Sequence, residues 1–334
     1  MRALASLLLT VTLCPGWSAE SPPSAHALRL LRPAEYLGMC DASAAVVVAT
    51  NLFIVASDED NVLRVYRSDQ PGPPVQSFDF NAFLAVTGKS PEADLEGAAR
   101  IGPRAFWIGS HGRNKKGKER TNRHRLFATD IRLIGGEVSL TPVGHPCRTL
   151  LADMLADPAL ARFNLAGASQ LEPKEAGALN IEGLAATPEG QLLIGFRNPV
   201  PGGRALIIPL RNPNEILEGE HARFGAAIQL DLGGRGIRDL AWVDGSYLII
   251  SGPWHGGADF QLYRWRAQEP PEALGISGLN AYHPEALVIY PDRGAHEFQV
   301  LSDDGTRLID GVPGKELTDP SRQRFRSFWL SDQP

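Results

Sequence analysis

An internal repeat constrains this chain more strongly than any single residue does. A polar, mostly acidic start is followed by small or aliphatic residues, a turn and a second apolar run, and each second run ends in a polar, glycine-rich loop. The clearest copies read DLEGAA at residues 94–99 and NIEGLA at residues 180–185. Looser copies read CDASA at 40–44, GIRDLA at 236–241 and HPEALV at 283–288. A repeat of this length points to an array of similar units.

The repeat predicts an all-β propeller. Each unit of roughly fifty residues offers about four short strands, which is the pattern of a propeller blade. Five starts in 334 residues predict five four-stranded blades. Six blades remain open if residues 149–180 hide a degenerate copy. A two-sheet sandwich is the simpler alternative, but it leaves the returning acidic start unexplained.

One segment departs from the strand pattern. Leu150, Leu151, Met154, Leu155 and Leu160 recur at three- and four-residue steps, the spacing of an apolar helix face. We therefore expect one or two short helices inserted between repeats, over about residues 149–171.

The two ends of the chain complement each other. The last repeat, which starts at His283, is one strand short, whereas residues 27–31 form a spare strand that Pro33 should end. A propeller that stays open exposes sheet edges that invite aggregation. We therefore expect the N-terminal strand to complete the last blade, so that residues 26–334 form one closed domain.

The N-terminus has the features of an export signal. Arg2 precedes an apolar run at residues 4–13, and Trp17-Ser-Ala19 offers a small-residue cleavage site. We expect residues 1–19 to be removed and residues 20–25 to form a tether. Because no other stretch is apolar enough to cross a bilayer, the expected product is a periplasmic or secreted monomer with no integral membrane segment.

Signal removal would leave two cysteines, Cys40 and Cys147. Two thiols in an oxidising compartment often pair, so a disulfide is predicted between them. Two buried, unpaired thiols are the alternative that the sequence leaves open.

The motifs resemble a known family. The 94–97 and 180–183 copies, together with WIGSHGRN at residues 107–114 and RHRLF at 123–127, are similar to a bacterial family catalogued as domain of unknown function 3616. The similarity covers roughly residues 35–330, and the family name implies no activity. The blade start also resembles that of the esterase-like phytase propellers. That remoter resemblance implies a propeller and ester or phosphoester hydrolysis.

The repeat starts predict a cluster of carboxylates. The first strand of each propeller blade lines the central channel, so residues that begin those strands meet at one mouth. The predicted ring consists of Asp41, Glu96, Glu182, Asp239 and Glu285. Crowded carboxylates must protonate, pair with cations or bind metal, and several oxygen ligands suit Ca²⁺ or another divalent cation. The alternative is that each carboxylate accepts backbone N–H groups and pins neighbouring blades together.

Loops that follow the second strands should open on the same mouth. They supply His111, Arg113 and His255 as candidate catalytic residues. They also supply Asn114, Arg197 and Asn198 as candidate contacts to an anionic substrate. A loop hydrogen bond is the simpler role for each histidine. The basic loop 113–125 contains seven Lys or Arg residues and could steer an anion, or could simply be solvated.

Several functions are disfavoured. The basic loop has no interleaved aromatic residues for base stacking, so nucleic-acid binding is not expected. The motifs Gly-x-Ser-x-Gly, His-Glu-x-x-His and Cys-x-x-Cys do not occur, and Gly88-Lys-Ser90 lacks the upstream glycine of a nucleotide phosphate loop. Two hypotheses remain: a metal-assisted hydrolase of an anionic ester or phosphoester, and a non-catalytic propeller that binds a ligand or a protein.

Overall fold

Five four-stranded antiparallel sheets and one two-stranded hairpin make up the β structure. The structure is a computed structural model that describes residues 28–332. The predicted signal segment 1–19 and tether 20–25 lie outside the described residues. None of the described helices is long and apolar enough to cross a membrane.

The elements follow the repeat along the chain. The first half of the strands comprises β1 (Arg29–Leu37), β2 (Ala42–Ala49), β3 (Leu52–Ser57), β4 (Val62–Arg67), β5 (Gln76–Asp79), β6 (Leu95–Ile101), β7 (Arg104–Gly109), β8 (Leu126–Ile134), β9 (Glu137–Cys147), β10 (Asn180–Ala186) and β11 (Leu192–Asn198). The second half comprises β12 (Ala205–Leu210), β13 (Ile228–Leu230), β14 (Gly236–Val243), β15 (Ser246–Gly252), β16 (Gln261–Trp265), β17 (Glu272–Leu274), β18 (Pro284–Val288), β19 (Glu297–Ser302), β20 (Leu308–Ile309), β21 (Val312–Pro313) and β22 (Arg324–Ser331). The α-helices are α1 (Asn81–Leu84), α2 (Leu150–Ala156) and α3 (Leu165–Ala168).

The sheets form a closed five-bladed propeller. Blades 1 to 4 are β2–β5, β6–β9, β10–β13 and β14–β17, and blade 5 has the order β18-β19-β22-β1. The first strand of each blade lies against the first strands of both neighbouring blades. Five hydrophobic clusters fill the spaces between blades, one for each adjoining pair. The propeller predicted from the repeat is therefore confirmed.

The glycine of the repeat is required by this packing. A Cβ atom at Gly97 would lie 3.1 Å from the Glu182 carbonyl oxygen of the next blade. A Cβ atom at Gly183 would lie 2.5 Å from a Leu240 methyl group of blade 4. Both glycines therefore let neighbouring inner strands approach more closely than a side chain would allow.

The N-terminal strand closes the ring, as predicted. β1 pairs antiparallel with β22 from Arg29 opposite Ser331 to Leu37 opposite Arg324. The expectation that Pro33 ends this strand is wrong. The ladder is interrupted between Leu31 and Ala34 and then continues, because proline is tolerated at an irregularity of an edge strand where no N–H donor is needed.

The predicted helical insertion is also present. α2, a 3₁₀-helix at Pro158–Phe163 and α3 follow blade 2. Leu150, Met154 and Leu160 of this segment pack into the cluster between blades 2 and 3. The helices between residues 150 and 168 therefore cover that interface, and residues 149–179 contain no strand of a sixth blade.

The predicted disulfide between Cys40 and Cys147 is not formed. Both cysteines are buried and free. Cys40 precedes the innermost strand of blade 1 and packs against Ile309 and Leu317, whereas Cys147 ends the outermost strand of blade 2. Four adjacent strands span about 14 Å, and a disulfide requires Cα atoms within about 7 Å. The two thiols therefore lie in separate clusters.

Tyr36 provides the test of closure. It is fully buried in the cluster between blades 5 and 1, and its ring packs on Phe53, Tyr66 and Phe325. We expect Tyr36→Ala to lower the free energy of unfolding by about 3–5 kcal/mol in one cooperative transition, because it opens a cavity at the closing seam. Chemical denaturation measures this loss.

Two control variants accompany it. Tyr36→Phe removes only the hydroxyl that accepts from Gln299 Nε2, so the expected cost is about 1 kcal/mol. Glu35→Ala changes an exposed side chain on the same strand and should cost less. Unchanged stability in Tyr36→Ala would show that β1 does not close the ring.

Candidate functional site

Each inner strand carries a β-bulge at the same place near its start. The pairing with the second strand skips one residue in every blade. A bulge leaves its extra residue unpaired and re-aims the side chain, which is why bulges occur at the rims of barrels. The five bulged residues are Ser43, Glu96, Glu182, Arg238 and Glu285. They form a ring of polar side chains around one end of the channel.

Residues next to this ring add further charge. Asp41 and Asp94 lie two positions before the bulged residue. Asp58 and Asp303 directly follow their second strands, and Arg197 is the penultimate residue of β11. We call this end of the channel the charged mouth. It comprises Asp41, Ser43, Asp58, Glu59, Asp94, Glu96, Glu182, Arg197, Arg238, Glu285 and Asp303.

Blades 3 to 5 contribute an arginine network to the mouth. Arg238 Nε lies 2.9 Å from Glu182 Oε2 and donates to Glu285 Oε2 at 2.7 Å. Arg197 donates to Glu182 Oε1 at 2.8 Å, and Asn180 Nδ2 donates to the same oxygen at 2.7 Å. Glu182 and Glu285, both predicted as metal ligands, are thus neutralised by arginine.

Blades 1 and 2 contribute an acidic cluster, which we define as Asp41, Asp58, Glu59, Asp94 and Glu96. It consists of two overlapping groups, Asp41 with Asp58 and Glu59, and Asp58 with Asp94 and Glu96. Within each group, one oxygen from each residue lies within 4.8 Å of the others. Asp58 belongs to both groups, and its buried Oδ1 has no hydrogen-bond partner among the described residues.

Two cations border the acidic cluster without neutralising it. Arg123 donates to Asp94 Oδ2 at 2.8 Å, and Lys315 Nζ lies 3.5 Å from Glu59. Asp58 and Glu96 form no ion pair with a described residue. The acidic cluster therefore contains more carboxylates than the cations beside it can balance.

The crowding changes the protonation of this cluster. Burial, together with the negative charge of Asp303, raises the pKa of Asp41 to about 8. Burial raises the pKa of Asp94 to about 6, although Arg123 opposes the shift. Burial and neighbouring carboxylates also raise the pKa values of Asp58 and Glu96 well above their ordinary range. The cluster thus resists full ionisation unless another positive charge joins it.

Asp239, also predicted as a metal ligand, is placed differently. Its Oδ1 accepts from its neighbour Leu240 N at 2.8 Å, and its Oδ2 accepts from Leu287 N of blade 5 at 2.7 Å. It lines a cavity of about 760 Å³ at the opposite end of the channel. The bulge turns Arg238, and not Asp239, toward the mouth. Asp239 instead binds backbone N–H groups of blades 4 and 5 and so holds the two blades together, which is the alternative role stated for these carboxylates.

The two candidate catalytic histidines do not contact the carboxylates. His111 is buried, its Nδ1 lies 2.8 Å from the Gly109 carbonyl oxygen, and its ring stacks on His124. Burial and the charge of His124 lower the pKa of His111 to about 3. His255 is exposed on the loop after β15 and packs edge-on against Trp254.

The other predicted polar residues mostly hold loops in place. Arg113 donates to the Ser169 carbonyl at 2.8 Å and so ties the basic loop to the helical insertion. The Asn114 side chain accepts two backbone N–H groups of its own turn. Asn198 Nδ2 donates to the carbonyls of Pro173 and Glu175 at 3.1 and 2.7 Å. Of the residues predicted for substrate, only Arg197 reaches the ring.

A family model described as "Protein of unknown function (DUF3616)" matches residues 41–133 and 142–281, which is more than half of the chain. The chain belongs to this family. Among curated proteins, none matches the sequence of this DUF3616 propeller.

Solved structures resemble the DUF3616 propeller only distantly. A glutaminyl cyclase from Myxococcus xanthus is 12% identical, with 92% of this chain and 97% of that chain covered and a TM-score of 0.47. A virginiamycin B lyase from Staphylococcus aureus is 9% identical, with 89% and 99% covered and a TM-score of 0.39. These similarities are too low to transfer any chemistry to the DUF3616 propeller.

Five residues at the mouth of the DUF3616 propeller were absent from the predicted site: Asp58, Glu59, Asp94, Arg238 and Lys315. The sequence did not indicate Arg238 as a mouth residue, because the neighbouring Asp239 matches the acidic residue of the other repeat starts. Asp58 lies in the sequence SDEDN at residues 57–61, whose composition is typical of a solvent-exposed turn. Its position directly after the second strand, which Asp303 shares in blade 5, was the available signal.

The pKa shifts predict an unusual pH dependence of stability. In chelator, Asp41 of the folded protein holds its proton up to about pH 8, whereas in the unfolded chain it ionises near pH ~3.9. The folded state therefore binds more protons across this window, so stability should fall as pH rises through it. The shift of His111 acts in the opposite direction, but only below about pH 6.5.

Melting temperatures between pH 6.5 and 8 isolate the carboxylate effect. We expect them to fall with pH in chelator and to fall less in Asp41→Asn. A melting temperature that stays level or rises across this range in chelator would contradict the crowding of the acidic cluster.

Proposed function

We propose that the acidic cluster binds a divalent cation and that the protein hydrolyses an anionic ester or phosphoester at the charged mouth. One observation carries the proposal. Asp58 belongs to both carboxylate groups and has a buried oxygen without a hydrogen-bond partner among the described residues. Such an oxygen costs free energy unless a proton or a cation satisfies it.

The spacing of the cluster fits a hard cation. Calcium takes six to eight oxygen ligands at about 2.3–2.6 Å, so two ligands on opposite sides of the ion lie about 5 Å apart. The oxygens of each group lie within 4.8 Å of one another. Asp58, Asp94 and Glu96, which form the more buried of the two groups, are the residues that would hold the ion, with Asp41 and Glu59 beside them.

Electrostatics supports a cation over shared protons. The raised pKa values of Asp41, Asp58 and Glu96 mean that ionising these groups together is unfavourable in the protein alone. A divalent ion would offset this repulsion and leave the carboxylates ionised at neutral pH. Carboxylates that only stabilise the ring would instead be expected to hold backbone N–H groups, as Asp239 does.

The arginine network supplies the other half of the site. Arg197 and Arg238 fix Glu182 and Glu285, so these two carboxylates add no unbalanced charge to the mouth. A bound cation would polarise an ester or phosphoryl oxygen and lower the pKa of a bound water. The cation would also lower the pKa of Asp41 from its raised value, so activation of water would rest on the ion and not on proton transfer by Asp41, His111 or His255.

One observation favours the second candidate, a non-catalytic ligand-binding propeller. Both candidate catalytic histidines lie away from the carboxylates, and His111 is buried with a lowered pKa. A mouth that binds a cation and an anion without turnover would need no general acid. The two candidates share the cation site and differ only in turnover.

Thermal melting tests the cation site. We expect calcium, magnesium or manganese to raise the melting temperature, since a ligand at a hundred times its dissociation constant adds about 2.7 kcal/mol. Asp58→Asn and Glu96→Gln should lose most of this gain, because each removes one anionic ligand. Asp60→Asn is the matched control, since Asp60 lies on the same loop but pairs with Arg64. If none of the three cations moves the wild-type curve away from the chelator curve, the site does not exist.

Turnover tests the enzyme. We expect chelator-sensitive hydrolysis of p-nitrophenyl phosphate, bis(p-nitrophenyl) phosphate or the anionic half-ester mono-p-nitrophenyl succinate, and a loss of at least a hundredfold in Asp58→Asn, because the ion is lost with its ligand. Asp60→Asn should retain activity. A protein that binds the cation but hydrolyses none of these esters would support the binding function instead.

A further inference from the structure

Lys174 is held over the charged mouth by two blades. Its backbone lies between Pro173 and Glu175, whose carbonyl oxygens both accept from Asn198 Nδ2 on blade 3. The side chain extends toward blade 4, where a Cβ atom built on Gly256 would lie 3.7 Å from the Lys174 Nζ atom. The helical insertion therefore places one lysine across the seam between blades 3 and 4.

The ammonium group of Lys174 is exposed and has no acidic partner. No carboxylate of residues 28–332 forms an ion pair with it, although Glu172 lies near enough to favour its charge. Burial of part of the side chain, together with the charges of Arg197 and Arg238, lowers the pKa of Lys174. Because Asn198, which holds the Lys174 loop, directly follows Arg197 on β11, Lys174 lies on the same side of the mouth as Arg197.

We propose that Lys174 is the specificity-determining contact for the anionic group of the ligand, and that this group is an oxyanion, either phosphoryl or carboxylate. The proposal rests on the proposed function, which supplies the rest of the ligand site. Arg197 and Arg238 are already committed to Glu182 and Glu285. The free donors on this side are Arg197 Nε, which is buried without a hydrogen-bond partner among the described residues, and Lys174, whose three N–H groups suit a phosphate or carboxylate oxygen.

Lys174 and the proposed metal ion would then bind different parts of the ligand. A ligand whose oxyanion lies against Lys174 would extend toward Asp58 and Glu96 on the facing blades. Lys315, on the hairpin insertion after β19, borders the acidic side, where it is already paired with Glu59. The charge of Lys315 is therefore partly neutralised by Glu59, whereas Lys174 has no ion-pair partner among the described residues.

Calorimetric titration of inorganic phosphate and of malonate into the protein in chelator tests the proposal. We expect the wild type to bind at least one of them and Lys174→Gln to bind it at least tenfold more weakly. Tighter binding of phosphate would identify a phosphoryl group, and tighter binding of malonate a carboxylate. Lys174 is exposed and unpaired, so the variant should fold, which its melting curve verifies.

Lys116→Gln is the matched control. Lys116 lies exposed in the basic loop, and its loss changes the net charge by the same amount. Unchanged affinity in Lys116→Gln is expected. Equal losses in both variants, unchanged affinity in Lys174→Gln, or no wild-type binding of either anion would overturn the proposal.

The result is separable from the cation test. If cations stabilise the wild type but Lys174→Gln has no effect on anion affinity, only the role of Lys174 is wrong. If Lys174-dependent anion binding occurs in a protein that no cation stabilises, the proposed function fails and the anion contact remains.

Discussion

A one-residue bulge at the start of each inner strand determines which side chains reach the channel. Without it, strict alternation would turn successive residues toward the two neighbouring blades, as Ala44 and Ala45 of β2 do. The bulge inserts one residue and turns it toward the mouth. Glu96, Glu182 and Glu285 occupy this position in three blades, and Gly97 and Gly183 next to it let the neighbouring inner strands come close.

Two blades lack an acidic residue at the bulge, and this separates the mouth into an acidic side and a side neutralised by arginine. Blade 1 places Ser43 in the bulge, and its hydroxyl donates to the Leu95 carbonyl of blade 2. Blade 4 places Arg238 there, which neutralises two of the three ring glutamates. Glu96 is left without such a partner and faces Asp58, so the excess negative charge collects on blades 1 and 2. The uneven distribution of charge around the mouth thus arises because two of the five blades have Ser43 and Arg238 where the other three have glutamate.

Most of the fold could be predicted from the sequence. The repeat determined the blade count, the missing strand after His283 predicted closure by the N-terminal strand, and the apolar spacing near Leu150 predicted the helical insertion. These features depend on local patterns. The pairing of Cys40 with Cys147 depended on distance across two blades, which sequence spacing does not contain.

The site was only partly predictable, for a physical reason. A bulge shifts the strand register by one residue, and no side-chain pattern marks where the shift occurs. Asp239 was therefore taken for a channel residue in place of Arg238. The partners of His111 and Asn198 are residues distant in sequence or backbone groups, which the sequence could not reveal.

The position of a bound ion tests the central claim most directly. Crystals grown with manganese and measured by anomalous diffraction would locate the ion without reference to activity. The account predicts a peak among the carboxylates of Asp58, Asp94 and Glu96, at ligand distances close to those of a divalent cation, and its absence in Asp58→Asn crystals. A peak beside Asp239 at the other end of the channel, or no peak in the wild-type protein, would contradict it.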